Sequence, residues 1–96
     1  MSAASLAFDL QGHRGARGLL PENSLAGFTK ALAIGVTTLE LDAAITKDGV
    51  VVISHDPSLN PDITRTAKGR WIEPPYAPIA SLFYSDLATY DVGRMR

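Results

Sequence analysis

The hydrophobic period changes twice between residues 6 and 45, and this double change constrains the fold more than any other feature of the chain. Residues 6–11 alternate, with Phe8 and Leu10 on one face and Asp9 and Gln11 on the other, as a half-buried strand does. Leu25, Phe28 and Leu32 then recur at three- and four-residue spacing, which predicts a helix packed against a sheet. The expected length is about eleven residues. Pro21-Glu22-Asn23-Ser24 has the chemistry of its start: Asn23 can accept a hydrogen bond from an orphan backbone amide, and Glu22 suits the positive end of the helix dipole. Gly35 stands where a left-handed cap would end it. Residues 38–45 alternate again, Leu39 and Leu41 against Glu40 and Asp42. A strand, a helix and a second strand in that order imply an α/β fold with a parallel sheet, and such sheets are covered on both faces.

Within such a sheet Glu40 and Asp42 are informative. Two carboxylates of one parity would be enclosed and mutually repulsive without a cation, and a hard divalent metal with oxygen ligands resolves the conflict. In an antiparallel sheet the same pair would read as a solvated face. Lys47-Asp48-Gly49 then signals a tight turn and residues 50–53 are β-branched throughout, so residues 42–54 are expected to form a hairpin. With the turn centred near Asp48, facing residue numbers sum to about 96, which returns His55 beside Leu41 and Asp42. A lone histidine after a strand is more often a satisfied surface residue, but this one is brought by the register to the acidic pair. His13 and Arg14 stand between Gly12 and Gly15, which let the backbone turn sharply and approach a ligand closely. Alone, His-Arg-Gly reads first as a plain turn.

After Asp56 the composition shifts. Five of the six prolines, at 57, 61, 74, 75 and 78, predict a long irregular loop over residues 57–80. Trp71 and Tyr76 are its expected apolar anchor. Leu82, Phe83 and Leu87 ahead of Tyr90 predict a short closing helix over residues 81–90. Nine Lys plus Arg against ten Asp plus Glu leave a net charge of -1, so there is no broad basic field to draw nucleic acid or an anionic membrane. The absence of cysteine excludes disulfides, thiolate zinc sites and cysteine nucleophiles. No apolar run approaches the ~20 residues of a spanning helix, so stable membrane insertion is not expected. Residues 2–7, Ser-Ala-Ala-Ser-Leu-Ala, look like the tail of a cleaved secretory signal and give the expectation of a soluble periplasmic or secreted protein.

Gln11-Gly12-His13-Arg14-Gly15, Pro21-Glu22-Asn23-Ser24, Leu39-Glu40-Leu41-Asp42, Thr46-Lys47-Asp48-Gly49 and His55-Asp56, in this order and spacing, resemble the glycerophosphodiester phosphodiesterase family. The likeness is to its periplasmic-type members, and continues through Leu59-Asn60-Pro61-Asp62-Ile63-Thr64-Arg65 and Tyr90-Asp91-Val92-Gly93-Arg94. The resemblance implies the N-terminal portion of a TIM (β/α)8 barrel: strand, helix, strand and hairpin, followed by an irregular insertion over the barrel mouth. Residues 1–56 would form the first βαβ part with the catalytic motifs, and residues 57–96 the Pro-rich insertion and short helix. Such barrels typically take about 250 residues, so the chain is expected to be a fragment of a larger domain.

The resemblance further implies hydrolysis of a small-molecule glycerophosphodiester to glycerol 3-phosphate and an alcohol. His13 and His55 would be the proton-transfer pair, Arg14 would bind the phosphate, and Glu40 and Asp42 would hold Ca²⁺ or Mg²⁺. The family completes its metal site with a later glutamate, expected beyond Arg96, because Glu73 stands too deep in the Pro-rich loop. Two alternatives stay open: a sphingomyelinase D-like phospholipase of the same superfamily, which shares the His, Glu, Asp and His pattern, and a non-enzymatic barrel fragment. The isolated chain is expected to be inactive, and marginally stable or self-associating, with its apolar faces uncovered.

Overall fold

The computed structural model describes residues 8–95, so the signal-like residues 2–7 and the start of the first expected strand lie outside the described residues. By contacts the chain forms two compact units, Met1–Leu41 and Asp42–Arg96. Motif content divides the sequence after Asp56, and contacts divide it after Leu41.

In the first unit, β1 (Gln11–Gly12) and β2 (Thr38–Leu39) pair in parallel, Gln11 with Thr38 and Gly12 with Leu39, as the strand, helix, strand order requires. Each strand has only two residues, where alternation predicts strands over 6–11 and 38–45. Side chains take over at the start of the ladder. Oδ1 of Asp9 accepts from the hydroxyls of Thr37 and Thr38, each at 2.6 Å, and its Oδ2 accepts from the Gln11 amide at 2.7 Å. The Leu10 N–H donates to Thr37 Oγ1 at 2.8 Å, so it is withdrawn from backbone pairing. These bonds, that from Gln11 foremost, pull the Asp9 carboxyl down to about 2.

Helix α1 (Leu25–Ile34) has ten residues and ends on Gly35, whose φ of 102° is the left-handed cap expected there. Its N-cap is Ser24, not Asn23. Ser24 is extended and its Oγ accepts from the Gly27 N–H at 3.0 Å, while Asn23 has a φ of 52° and donates its own N–H to the Arg14 carbonyl at 2.8 Å. That distant carbonyl holds Asn23 in a left-handed conformation, and the cap moves one residue along. Nor is the packed face the leucine stripe. Leu25 and Leu32 are 87% and 60% exposed, and the buried positions are Gly27 and Ala31. Leucines would not fit, because a Cβ on Gly12 would stand 3.1 Å from that of Ala31, and a Cβ on Gly15 would lie 3.1 Å from the Gly27 carbonyl carbon.

In the second unit, β3 (Ala43–Ile45) and β4 (Val51–Ile53) form the expected antiparallel hairpin. Ala43 faces Ile53, Ala44 faces Val52 and Ile45 faces Val51, so each pair sums to 96. Ala44 and Val52 pack on the core of Leu59, Ile72 and Ile79, while Ile45, Val51 and Ile53 are exposed on the other face. The 57–80 segment is irregular down to a single 3₁₀ turn, Ile79–Ser81, but it is pinned by bridges between Ser58 and Pro78 and between Arg65 and Trp71. Its anchors are Leu59, Ile72 and Ile79, at 3 to 8% exposure, and not Trp71 and Tyr76. Trp71 is half-buried beside the Arg65 guanidinium, 5.9 Å from the ring centre, and Tyr76 is 37% exposed.

The closing helix expected over 81–90 is four residues long, α2 (Tyr84–Leu87). Leu82 and Phe83 are extended ahead of it, and the Leu82 carbonyl accepts from the Lys47 N–H at 2.8 Å. Oδ1 of Asp48 accepts from both the Thr46 hydroxyl at 2.6 Å and the Tyr84 N–H at 3.0 Å, tying the hairpin turn to the start of α2. These bonds, that from Thr46 first, lower the Asp48 carboxyl.

Candidate active site

The first unit brings together three of the expected site residues, with His13 and Arg14 around the carboxylate of Glu40. Gly12, at the end of β1, accepts from the Gly15 N–H at 3.1 Å, which folds the His13-Arg14 segment into a tight turn. Arg14 has a φ of 51° and Gly15 of 87°, and a left-handed conformation at arginine needs fixing from outside. It is fixed at both backbone ends. The Arg14 N–H donates to Glu40 Oε2 at 2.8 Å, and its carbonyl accepts from Asn23. Glu40 follows β2 directly, and its own N–H donates to the Gly12 carbonyl at 3.0 Å, so loop and carboxylate are joined twice. His13 Nε2 lies 3.9 Å from the same Glu40 oxygen.

Exposure separates the members of this group. The His13 side chain is 61% exposed and that of Glu40 is 34% exposed, which suits groups that meet a ligand. The Arg14 side chain is 12% exposed, and its Nη1 lies 3.0 Å from Glu22 Oε1. Arg17 approaches the same Glu22 oxygen more loosely, through Nε at 3.5 Å. Both contacts to Glu40 fall on Oε2, which leaves Oε1 without a protein donor among the described residues. A carboxylate oxygen of that kind, on a side chain about one-third exposed, suits a hard cation.

Asp42 and His55 lie in the second unit. The Asp42 carbonyl accepts from the Ser54 N–H at 2.9 Å, extending the hairpin ladder by one pair and making His55 the residue after that pair. His55 Nδ1 is 2.7 Å from Asp56 Oδ1, and both side chains are about two-fifths exposed. A carboxylate on one ring nitrogen fixes the orientation and tautomer of the imidazole. Among the described residues no three His, Asp or Glu side chains gather as a ready-made metal cluster.

Sequence reasoning missed the part that Glu22 plays. Expected beside the helix dipole, Glu22 precedes the N-cap and is buried against two guanidiniums, and the first turn of α1 holds no acidic residue. The available signal was an acidic residue eight positions after Arg14 and five after Arg17, in a segment that must fold back to begin a helix.

The model of the glycerophosphoryl diester phosphodiesterase family matches residues 13–96. Among solved structures, a Silicibacter pomeroyi DSS-3 protein assigned as a glycerophosphoryl diester phosphodiesterase superposes with a TM-score of 0.86 at 41% identity, covering 91% of this chain and 29% of that one. A glycerophosphodiester phosphodiesterase of Caldanaerobacter subterraneus subsp. tengcongensis is 40% identical over 57 residues, 59% of this chain and 22% of the relative. The human lysophospholipase D is 53% identical over 47 residues, 49% of this chain and 15% of the relative. The chain thus spans about a fifth or less of the length of these two curated relatives. Its α/β architecture corresponds to the N-terminal portion of the barrel built by its structural neighbours. With five-sixths or more of the sequence matched and the fold shared at 41% identity, the chain belongs to the glycerophosphoryl diester phosphodiesterase family.

Proposed function

We propose that the whole protein hydrolyses glycerophosphodiesters to glycerol 3-phosphate and an alcohol, in the periplasm or outside the cell, with His13, Arg14, Glu40, Asp42 and His55 at the reacting centre. The observation that carries this reading is the convergence of His13 and the Arg14 backbone on a single oxygen of Glu40. A phosphodiester gains negative charge as it reacts, so the site must supply positive charge, a base and an acid. The Arg14 guanidinium offers a planar fork to phosphoryl oxygens. One histidine takes the proton of the attacking hydroxyl as the new P–O bond forms: attack by water gives glycerol 3-phosphate directly, whereas attack by the glycerol 2-hydroxyl gives a cyclic phosphate that water then opens to glycerol 3-phosphate. The other gives a proton to the alcohol oxygen as the old P–O bond breaks. Ca²⁺ or Mg²⁺ held by Glu40, Asp42 and a further carboxylate would supply positive charge to the phosphate when bound.

The likeness to a lysophospholipase D supports a second reading, in which the diester carries an acyl chain. Product analysis by phosphorus NMR on purified full-length protein distinguishes the two, with glycerophosphodiesters and lysophospholipids offered separately. Release of glycerol 3-phosphate that stops with chelator and returns with a divalent cation is the expected result. Undiminished hydrolysis in excess chelator would remove the metal from this reading, and failure on every glycerophosphodiester would remove the reaction.

A further inference from the structure

Glu22 has no part in the chemistry above, yet it is the one charged side chain that is buried among the described residues, at 9% exposure. A carboxylate at that depth is unfavourable unless it is paired and hydrogen-bonded. Its closer partner is the Arg14 guanidinium at 3.0 Å, which is itself largely enclosed, while Arg17 is more distant and about half exposed. Arg14 is thereby gripped at three points. Its N–H is held by Glu40, its carbonyl by Asn23 and its guanidinium by Glu22, around a left-handed backbone that arginine does not adopt unaided.

The geometry points to Glu22 as a positioning residue that fixes the Arg14 guanidinium in one orientation for the phosphodiester. This rests on the reading that Arg14 binds phosphate. A guanidinium held in place loses less rotamer freedom on binding, so loss of the grip should appear mainly as weaker binding.

The test uses the full-length enzyme and steady-state hydrolysis of a glycerophosphodiester by wild type, Glu22→Gln, Glu22→Asp, Arg14→Ala and the double variant Arg14→Ala/Glu22→Gln. Glu22→Gln keeps the side-chain volume and should raise KM by about tenfold with a smaller change in kcat. Glu22→Asp keeps the charge and should recover part of the loss. In the Arg14→Ala background Glu22→Gln should add nothing further, because the group it positions is gone. A wild-type KM in Glu22→Gln, or a loss that multiplies fully with that of Arg14→Ala, would overturn the inference. If Glu22→Gln does not fold, the Glu22→Asp KM decides: a wild-type value with the charge carried on a shorter stem would equally overturn it. An Arg14→Ala enzyme with unchanged kinetics would instead sink the reading of Arg14, and is recognisable because it needs no change at Glu22.

Discussion

Replacing Gly12 by alanine tests the close approach on which the His13-Arg14 turn depends. A Cβ at this position would stand 2.5 Å from the Gly15 carbonyl oxygen and 3.1 Å from the Cβ of Ala31. The first contact is about 0.9 Å short of the 3.4 Å at which ordinary contact begins, and it is with a backbone atom. That turn cannot yield as the end of a flexible side chain would, since the Gly15 N–H is bonded to Gly12 itself and the Arg14 N–H to Glu40. The displacement must therefore be shared between the end of β1, the turn and α1. Overpacking of this kind costs about 1–3 kcal/mol. The same shift moves His13 and Arg14, and a misplacement near 1 Å can cost on the order of 10²-fold in turnover. Gly18→Ala is the matched control, because nothing lies within 4 Å of its Cβ position, and it should stay within about 0.5 kcal/mol of wild type. Denaturant melts and hydrolysis rates of the full-length variants read both effects. A Gly12→Ala protein that melts and turns over like wild type would refute the close packing and the argument built on it.

Other perturbations follow from the same structure. His13→Ala and His55→Ala should each lower turnover by about 10²-fold with little change in melting temperature, as their side chains are 61% and 40% exposed; full activity in either would remove that histidine from proton transfer. Ile79→Ala, at a position 3% exposed, should destabilise the protein by about 2–5 kcal/mol in denaturant titration, and a loss well under 1 kcal/mol would show that the core of the second unit lies elsewhere. Asp9, Asp48 and Asp91 are all lowered from 3.8 in the folded chain, by hydrogen bonds and, at Asp91, foremost by Arg94. Their folded values lie below the unfolded one, so the stability they contribute is present above the unfolded value and is lost as pH falls through the folded one, between 3.8 and about 2 for Asp9. Thermal melts from pH 6 down to about 2 should show this loss, and Asp48→Asn should make it shallower; stability that rises on acidification would contradict it.

What the sequence revealed depended on how local each cause was. The hairpin was legible to the residue, since a turn centred on Asp48 between β-branched runs leaves one register, the one observed. The left-handed cap at Gly35 was equally local. Asn23 lost the helix cap to Ser24 because of a carbonyl nine residues upstream, and no local rule contains that information. β1 begins only at Gln11, where Asp9 just ahead of it gathers two threonines from across the crossover, again a contact that alternation does not describe. Glu22 shows the same limit at the site: its type and position were visible, but its pairing with Arg14 exists only once the loop has folded back. His13, Arg14 and Glu40 were legible as a set through the order of their motifs, and the fold brings these three together within the first unit.

The double use of Asp48 Oδ1 makes the hairpin turn a non-interchangeable part. By local rules, Lys47-Asp48-Gly49 could be exchanged for another three-residue loop that closes the same strands with glycine at the left-handed position, such as Lys-Gly-Gly, with no loss of register. Such a graft would keep every rung of the ladder and still free the Tyr84 amide, which the carboxylate holds across a separation of 36 residues. Modularity therefore ends at this turn. Across diverging sequences, positions 46 and 48 should drift jointly, and where the carboxylate disappears a capping side chain should arise at position 83 to inherit the start of α2.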